Sequence, residues 1–129
     1  MANPNIVSVA TILGGNAGWN LSNTLTTTLL TVSAEYVCKI NRIVCANVHS
    51  SAAANLNLYV DGMGSGTTGV ATTGADATIY LAKVISVPYQ SSLVVLDTPI
   101  YLMEGDILKG GASATSALDL FISYETLVD

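Results

Sequence analysis

The sequence predicts an all-β fold, an antiparallel β-sandwich with jelly-roll-like connections and about eight strands. Three observations lead there. Thr, Val, Ile and Tyr are abundant, and apolar residues alternate with polar ones over short runs. Turn-forming residues recur between those runs, roughly every ten positions. No segment carries a helical period over eleven or more residues. Short, evenly spaced strands of this kind close into a sandwich. A length of 129 residues suits one domain spanning 1–129, and a chain of that size buries about two-thirds of its unfolded surface on folding.

Residues 5–12 read as a first strand, broken by Gly14-Gly15-Asn16. Residues 19–32 are rich in Thr and hold one or two strands, with the three-threonine run at an edge. The strongest strand signal covers 35–48. There Tyr36, Cys38 and Ile40 share one face while Ile43 and Cys45 fall on the other. That change of phase beside Arg42 predicts a bulge or a strand covered on both sides. After a small-residue connection at 50–54, the segment 55–59 alternates cleanly. Leu56, Leu58 and Val60 point inward, and Asn55, Asn57 and Asp61 outward. Residues 61–76, with five glycines and four threonines, read as a long loop. Strands resume at 79–87, stopped by Pro88, at 92–96, and at 99–102, which runs on from it. Met103-Glu104-Gly105-Asp106 is a tight turn leading into Ile107 and Leu108. The last strand covers 118–124, with Leu118, Leu120, Ile122 and Tyr124 on one side.

Composition narrows the function. Half of the residues are hydrophobic and only 10% are charged, against roughly 25% in an ordinary soluble domain. No apolar run approaches the ~20 residues of a membrane-spanning helix. A folded chain so poor in charge exposes apolar surface unless other copies or other proteins cover it, which points to an assembly component. The net charge is −5, and the four cations Lys39, Arg42, Lys83 and Lys109 are scattered. They form no phosphate-tracking stripe, so no nucleic acid is expected as partner. An anionic membrane is not expected either. The opening Met-Ala-Asn-Pro-Asn lacks the basic and apolar regions of a signal peptide. Asn20-Leu21-Ser22 fits the glycosylation pattern only by letter.

Cys38 and Cys45 lie seven residues apart in one strand. Their Cα atoms would be ~23 Å apart, with the side chains facing opposite sides. A disulfide needs ~7 Å or less, so both are expected as reduced, buried thiols of a protein folded in a reducing cytoplasm.

No motif carries catalytic chemistry. Gly64-Ser65-Gly66-Thr67-Thr68-Gly69 has the letters of a dinucleotide fingerprint, but the following Val70-Ala71-Thr72-Thr73-Gly74 is a poor helix start. It also lacks the lysine of a Walker loop. His49 is the only histidine, beside Ser50 and Ser51, and would have to serve any triad alone. Cys38, Cys45 and His49 lack compact metal-ligand spacing and a fourth partner. Asp97, Glu104, Asp106 and Asp119 sit at strand ends or turns, where carboxylates are ordinarily solvated, and they form neither a glycosidase pair nor a calcium loop. No enzyme activity, metal or cofactor is expected. Trp19 and Tyr89 fall in predicted loops. With Met63 they are the candidate contact residues of an interaction surface.

Several stretches together carry a resemblance: the opening Met-Ala-Asn-Pro-Asn-Ile-Val, the central Lys39-Ile40-Asn41-Arg42-Ile43-Val44-Cys45-Ala46-Asn47-Val48, Tyr80-Leu81-Ala82-Lys83 to Val87-Pro88, Ile100-Tyr101-Leu102-Met103-Glu104-Gly105-Asp106, and Ser123-Tyr124-Glu125. In these the chain resembles the small virion structural proteins of marine tailed bacteriophages, especially those infecting cyanobacteria. The Gly/Thr-rich 62–74 segment and residues 21–30 carry no part of it. The resemblance implies a non-enzymatic viral protein made in the bacterial host cytoplasm and built into the virion. The leading expectation is a capsid decoration (cement) protein, a homo-oligomer with the trimer favoured, that bridges subunits of the major capsid protein. A neck, tail or fibre protein bound to other virion proteins is the alternative, and a receptor- or glycan-binding module with Trp19, Tyr89 and the 62–74 loop as contacts is the third.

Overall fold

The computed structural model describes residues 11–62 and 78–128. Nine strands follow one another: β1 (Thr11–Asn20), β2 (Thr28–Thr31), β3 (Tyr36–Asn47), β4 (Ala54–Asp61), β5 (Ile79–Val87), β6 (Ser92–Leu96), β7 (Ile100–Leu102), β8 (Ile107–Ala112) and β9 (Leu118–Val128). One sheet has the order β1-β9-β3-β6, with β7 also on β3, and the other the order β2-β8-β4-β5. All pairings are antiparallel.

The strands β6 and β7 are two halves of one edge. The first pairs with residues 43–46 of β3 and the second with residues 38–40. Asp97, Thr98 and Pro99 interrupt them, since proline offers no N–H to a ladder. Counted as one, they leave eight strands paired first with last, β1–β9, β2–β8, β3–β6/β7 and β4–β5. This is one long hairpin rolled into two sheets, the jelly roll.

The core lies between the sheets. Ile40, Ile43 and Cys45 of β3 and Leu118, Leu120 and Ile122 of β9 meet Leu56 and Leu58 of β4 and Leu108 of β8. Each of these is at most 1% exposed, and burying one such aliphatic side chain stabilises the fold by about 1.5–3 kcal/mol.

Strand β3 corrects the expected two-sided placement of its cysteines. Its register against β9 shifts between Ile40 and Arg42. The extra residue restores the alternation, so Cys38, Ile40, Ile43 and Cys45 all enter the same core. Burial pushes both free thiols up to about 11, with the Asp119 charge as a second cause at Cys45.

The expected break at Gly14-Gly15-Asn16 is also corrected, because β1 runs through it in unbroken register with β9. Gly15 is there for space: a Cβ at this position would stand 2.9 Å from the ring of Tyr124, its cross-strand neighbour. The same strand carries Trp19, which is therefore not in a loop. Residues 5–10, the Gly/Thr-rich 63–74 stretch and Met63 lie outside the described residues.

Glu104 and Asp106, expected as solvated turn residues, are buried. Their turn carries the chain from one sheet to the other and is pinned to the β2–β3 connection. Glu35 N–H donates to Glu104 Oε2 at 2.8 Å, and Met103 N–H to Asp106 Oδ2 at 3.0 Å. Val32 and this turn exchange backbone bonds, Val32 N–H to Asp106 C=O and Gly105 N–H to Val32 C=O. Burial raises the Asp106 carboxyl above the usual carboxylate range, and the Met103 N–H opposes that shift.

Asn57 points outward as expected, yet it is buried. Its Oδ1 accepts the N–H of Val84 at 3.2 Å, where β5 bulges over it. Asn47, also buried, closes one end of the sandwich. Its amide donates to the carbonyls of Ala52 and Val87, and its Oδ1 accepts the N–H of His49.

Candidate interaction surface

Alternation in β3 and β9 sends one set of side chains to the core and the other to the outer face of the β1-β9-β3-β6 sheet. Register places that outer set in rows across the strands. Val94, Val44, Phe121 and Gly18 form one row, each directly opposite the next on β6, β3, β9 and β1. Three interstrand spacings make it ~14 Å wide. Phe121 and Val94 are 49% and 45% exposed. Aromatic and branched side chains in direct cross-strand contact hold one another in place.

The row is flanked by two others that carry charges of opposite sign, Arg42 in one and Asp119 in the other. On one side stand Arg42, Ser123 and Asn16. On the other stand Ala46, Asp119 and Asn20, where the Asn20 amide donates to Asp119 Oδ1 at 2.6 Å. Gly18 and Ala46 are small, so a shallow hollow of about 360 Å³ opens beside Phe121, reaching Trp19, Asn20, Val44, Asp119 and Leu120. Apolar contact surface with a charged rim is what this face offers a partner.

Of the expected contact residues, Trp19 and Tyr89 are not brought together. Trp19 turns to the core side of β1 and is partly buried against it. Tyr89 is 54% exposed in the turn before β6. Strands β9 and β3 lie between the edges that carry them, so they form no joint aromatic platform. Phe121, Val44 and Val94 were not singled out in the sequence. The available signal was Phe121 itself, an apolar residue out of phase with Leu120 and Ile122.

The other candidates are dispersed. His49 Nδ1 accepts the N–H groups of Ser51 and Ala52, a role in closing a turn. Asp97 is exposed between β6 and β7. Asp119 lies on the outer face, and Glu104 and Asp106 are engaged under the β2–β3 connection. Among the described residues, no three His, Cys, Asp or Glu side chains stand close enough to hold a metal ion, and no helix is long and apolar enough to cross a membrane. A second hollow of about 200 Å³ opens between the sheets at Leu30, Val32, Tyr36, Cys38 and Tyr124, with no charged side chain lining it.

No protein-family model matches the chain, and no curated protein matches it. Among the solved structures it is similar to is a chain from the structure described as "Bacillus endospore appendages form a novel family of disulfide-linked pili". The match has a TM-score of 0.41 and 14% identity, and covers 92% of this chain and 88% of that one.

Proposed function

We propose that this protein is a non-enzymatic bacteriophage virion structural protein, a capsid decoration protein that stabilises the head by bridging subunits of the major capsid protein. The observation that carries the reading is the apolar row Val94–Val44–Phe121–Gly18, presented on a sheet face by a chain with only 10% charged residues. Such a face contributes affinity by burying apolar area, at about 25 cal/mol per Å² before association costs. Repeated over many copies, modest contributions add up to a stabilised shell. The sequence resemblance to small virion proteins supports the same reading. The jelly roll is compatible with it by analogy, since that architecture serves viral capsid proteins among many others.

The test is co-sedimentation of the purified protein with expanded capsids, followed by counting copies per particle. Saturable binding at hundreds of copies, lost in Phe121→Asp without loss of the fold, is the expected result. Failure to bind capsids overturns the decoration role. About a dozen copies at one vertex would move the protein to the neck or tail.

A further inference from the structure

Each sheet of a sandwich has two edges, and an open edge presents unpaired N–H and C=O groups to any strand that can reach it. Three of the four edges here are blunted. Strand β2 has four residues and a register shift. Strand β5 has two register shifts against β4, a left-handed Val84 with φ 54°, and Pro88 directly after it. The β6/β7 edge is interrupted by Asp97, Thr98 and Pro99. Strand β1 differs from all three. It has ten residues in unbroken register with β9, and its sequence Thr-Ile-Leu-Gly-Gly-Asn-Ala-Gly-Trp-Asn contains no charge and no proline.

The direction of its free groups follows from the ladder. Leu21 N–H donates to Leu118 C=O at 2.8 Å, and the unbroken register of β1 on β9 carries that phase along the whole strand. Odd-numbered residues therefore face β9, and alternation turns the N–H and C=O of Ile12, Gly14, Asn16, Gly18 and Asn20 to the open edge. Among the described residues, these backbone groups have no partner.

We propose that the β1 edge is a self-pairing interface, on which a second copy of this chain adds its own β1 antiparallel about a two-fold axis at Asn16. Three features select a second copy. In that register Asn16 meets Asn16 of the partner subunit, and Gly14 and Ile12 meet the partner's Gly18 and the partner's Asn20. Five facing pairs then form with about two hydrogen bonds apiece. Side-chain size matches as well. Leu13, half exposed on the core side, lies opposite the partner's Trp19, while Gly15 lies opposite the partner's Ala17. Finally, a strand paired with itself sets like charges near one another, and β1 carries none. The β1-β9-β3-β6 sheets of the two copies become one continuous sheet, and the apolar outer rows of both copies lie on the same side of it. A dimer unit, not the expected trimer, is the result.

The inference is independent of the virion reading, because it is tested on the isolated protein. Light scattering on the purified chain is expected to give twice the chain mass, and a monomer at high concentration or a trimer overturns the proposal. Asn16→Pro removes an N–H on the open side only. It is expected to weaken the dimer at least about tenfold, through two lost hydrogen bonds, and a dimer that persists unchanged overturns the proposal. Asn16→Cys keeps the question answerable if the proline variant misfolds. A facing pair stands ~5.5 Å apart, within disulfide range, while Cys38 and Cys45 are buried. A covalent dimer on mild oxidation is expected, and a non-covalent dimer that fails to cross-link overturns the pairing.

Discussion

The outer faces of the two sheets are built from the same kind of strands and are finished in opposite ways. On the β2-β8-β4-β5 sheet the chain covers β4 and β8, while Tyr80 and Val84 of the edge strand β5 stay 44% and 59% exposed. Tyr59 is buried although it points outward, with its ring 5.1 Å from that of Tyr80. Lys83 Nζ lies 4.9 Å over the Tyr80 ring, and Lys109 pairs with Asp61 at 3.1 Å. The connection 22–27 lies against β8, where Ala112 N–H donates to Ser22 C=O and Gly110 N–H to Thr27 C=O. On the β1-β9-β3-β6 sheet, Phe121 and Val94 remain open, and the Arg42 guanidinium has no ion-pair or hydrogen-bond partner among the described residues. The difference teaches where stability and association reside. Side chains on the self-covered face hold the fold, and those on the open face are free to serve a partner.

The comparison breaks most sharply at Gly110. A Cβ there would run into the backbone carbonyl of Asn57 on the neighbouring strand, and backbone cannot give way as a side chain does. Gly110→Ala is expected to cost about 3 kcal/mol or more, seen as a loss of roughly 10 °C in Tm.

Next comes the aromatic contrast. Tyr59→Ala removes a buried ring from the closed face and is expected to cost about 3 kcal/mol. Phe121→Ala removes a half-exposed ring from the open face and should leave stability within about 0.5 kcal/mol, while weakening association. Equal costs in denaturant melts would erase the distinction between the faces.

Acid sharpens the comparison further. Lys109 donates to Asp61 and lowers its carboxyl pKa, with the Gly62 N–H assisting. Its contribution is present above the ordinary carboxylate range and is lost as pH falls through the lowered value. Asp106 has the opposite sign, because burial raises its pKa. Its charged form costs stability at neutral pH, and the cost disappears as pH falls below the ordinary value of 3.8. Asp106→Asn should therefore gain stability relative to the parent as pH rises from 4 to 7, measured by melts across that interval. A difference that is flat or reversed in sign would rule out a desolvated carboxylate.

The smallest effect concerns the thiols. Cys38 and Cys45, with pKa values pushed to about 11 by burial, should not react with a thiol reagent at pH 8 in the native protein. Both should be released together on unfolding, because the core encloses both. Reaction of one without the other would show a local opening of β3.

Much of the architecture was legible in local pattern. The strand at 79–87 matches β5 residue for residue, as does that at 92–96 for β6, and the strands at 35–48 and 55–59 locate β3 and β4. The turn at 103–106 also appears where expected. What failed did so for reasons of space. Gly14-Gly15-Asn16 carries a turn signature, but Gly15 admits the Tyr124 ring from a residue more than one hundred positions away. Trp19 looked like a loop aromatic for the same reason, since the strand carrying it was expected to have ended. The candidate surface was the least legible part. Phe121, Val44 and Val94 become neighbours only through register, which no local window contains.

By itself, then, the sequence determined the period-2 alternation that makes these segments strands, the turns that separate them, and the shortage of charge that leaves apolar surface in search of cover. Those are properties of near neighbours and of composition. Only the tertiary structure decided that one extra residue in β3 brings both cysteines into a single core, that the carboxylates of Glu104 and Asp106 are buried under backbone N–H groups, and that one sheet face and the β1 edge stay open. The physical reason is the same in each case: burial and hydrogen bonding depend on which strands meet, and here the first strand meets the last.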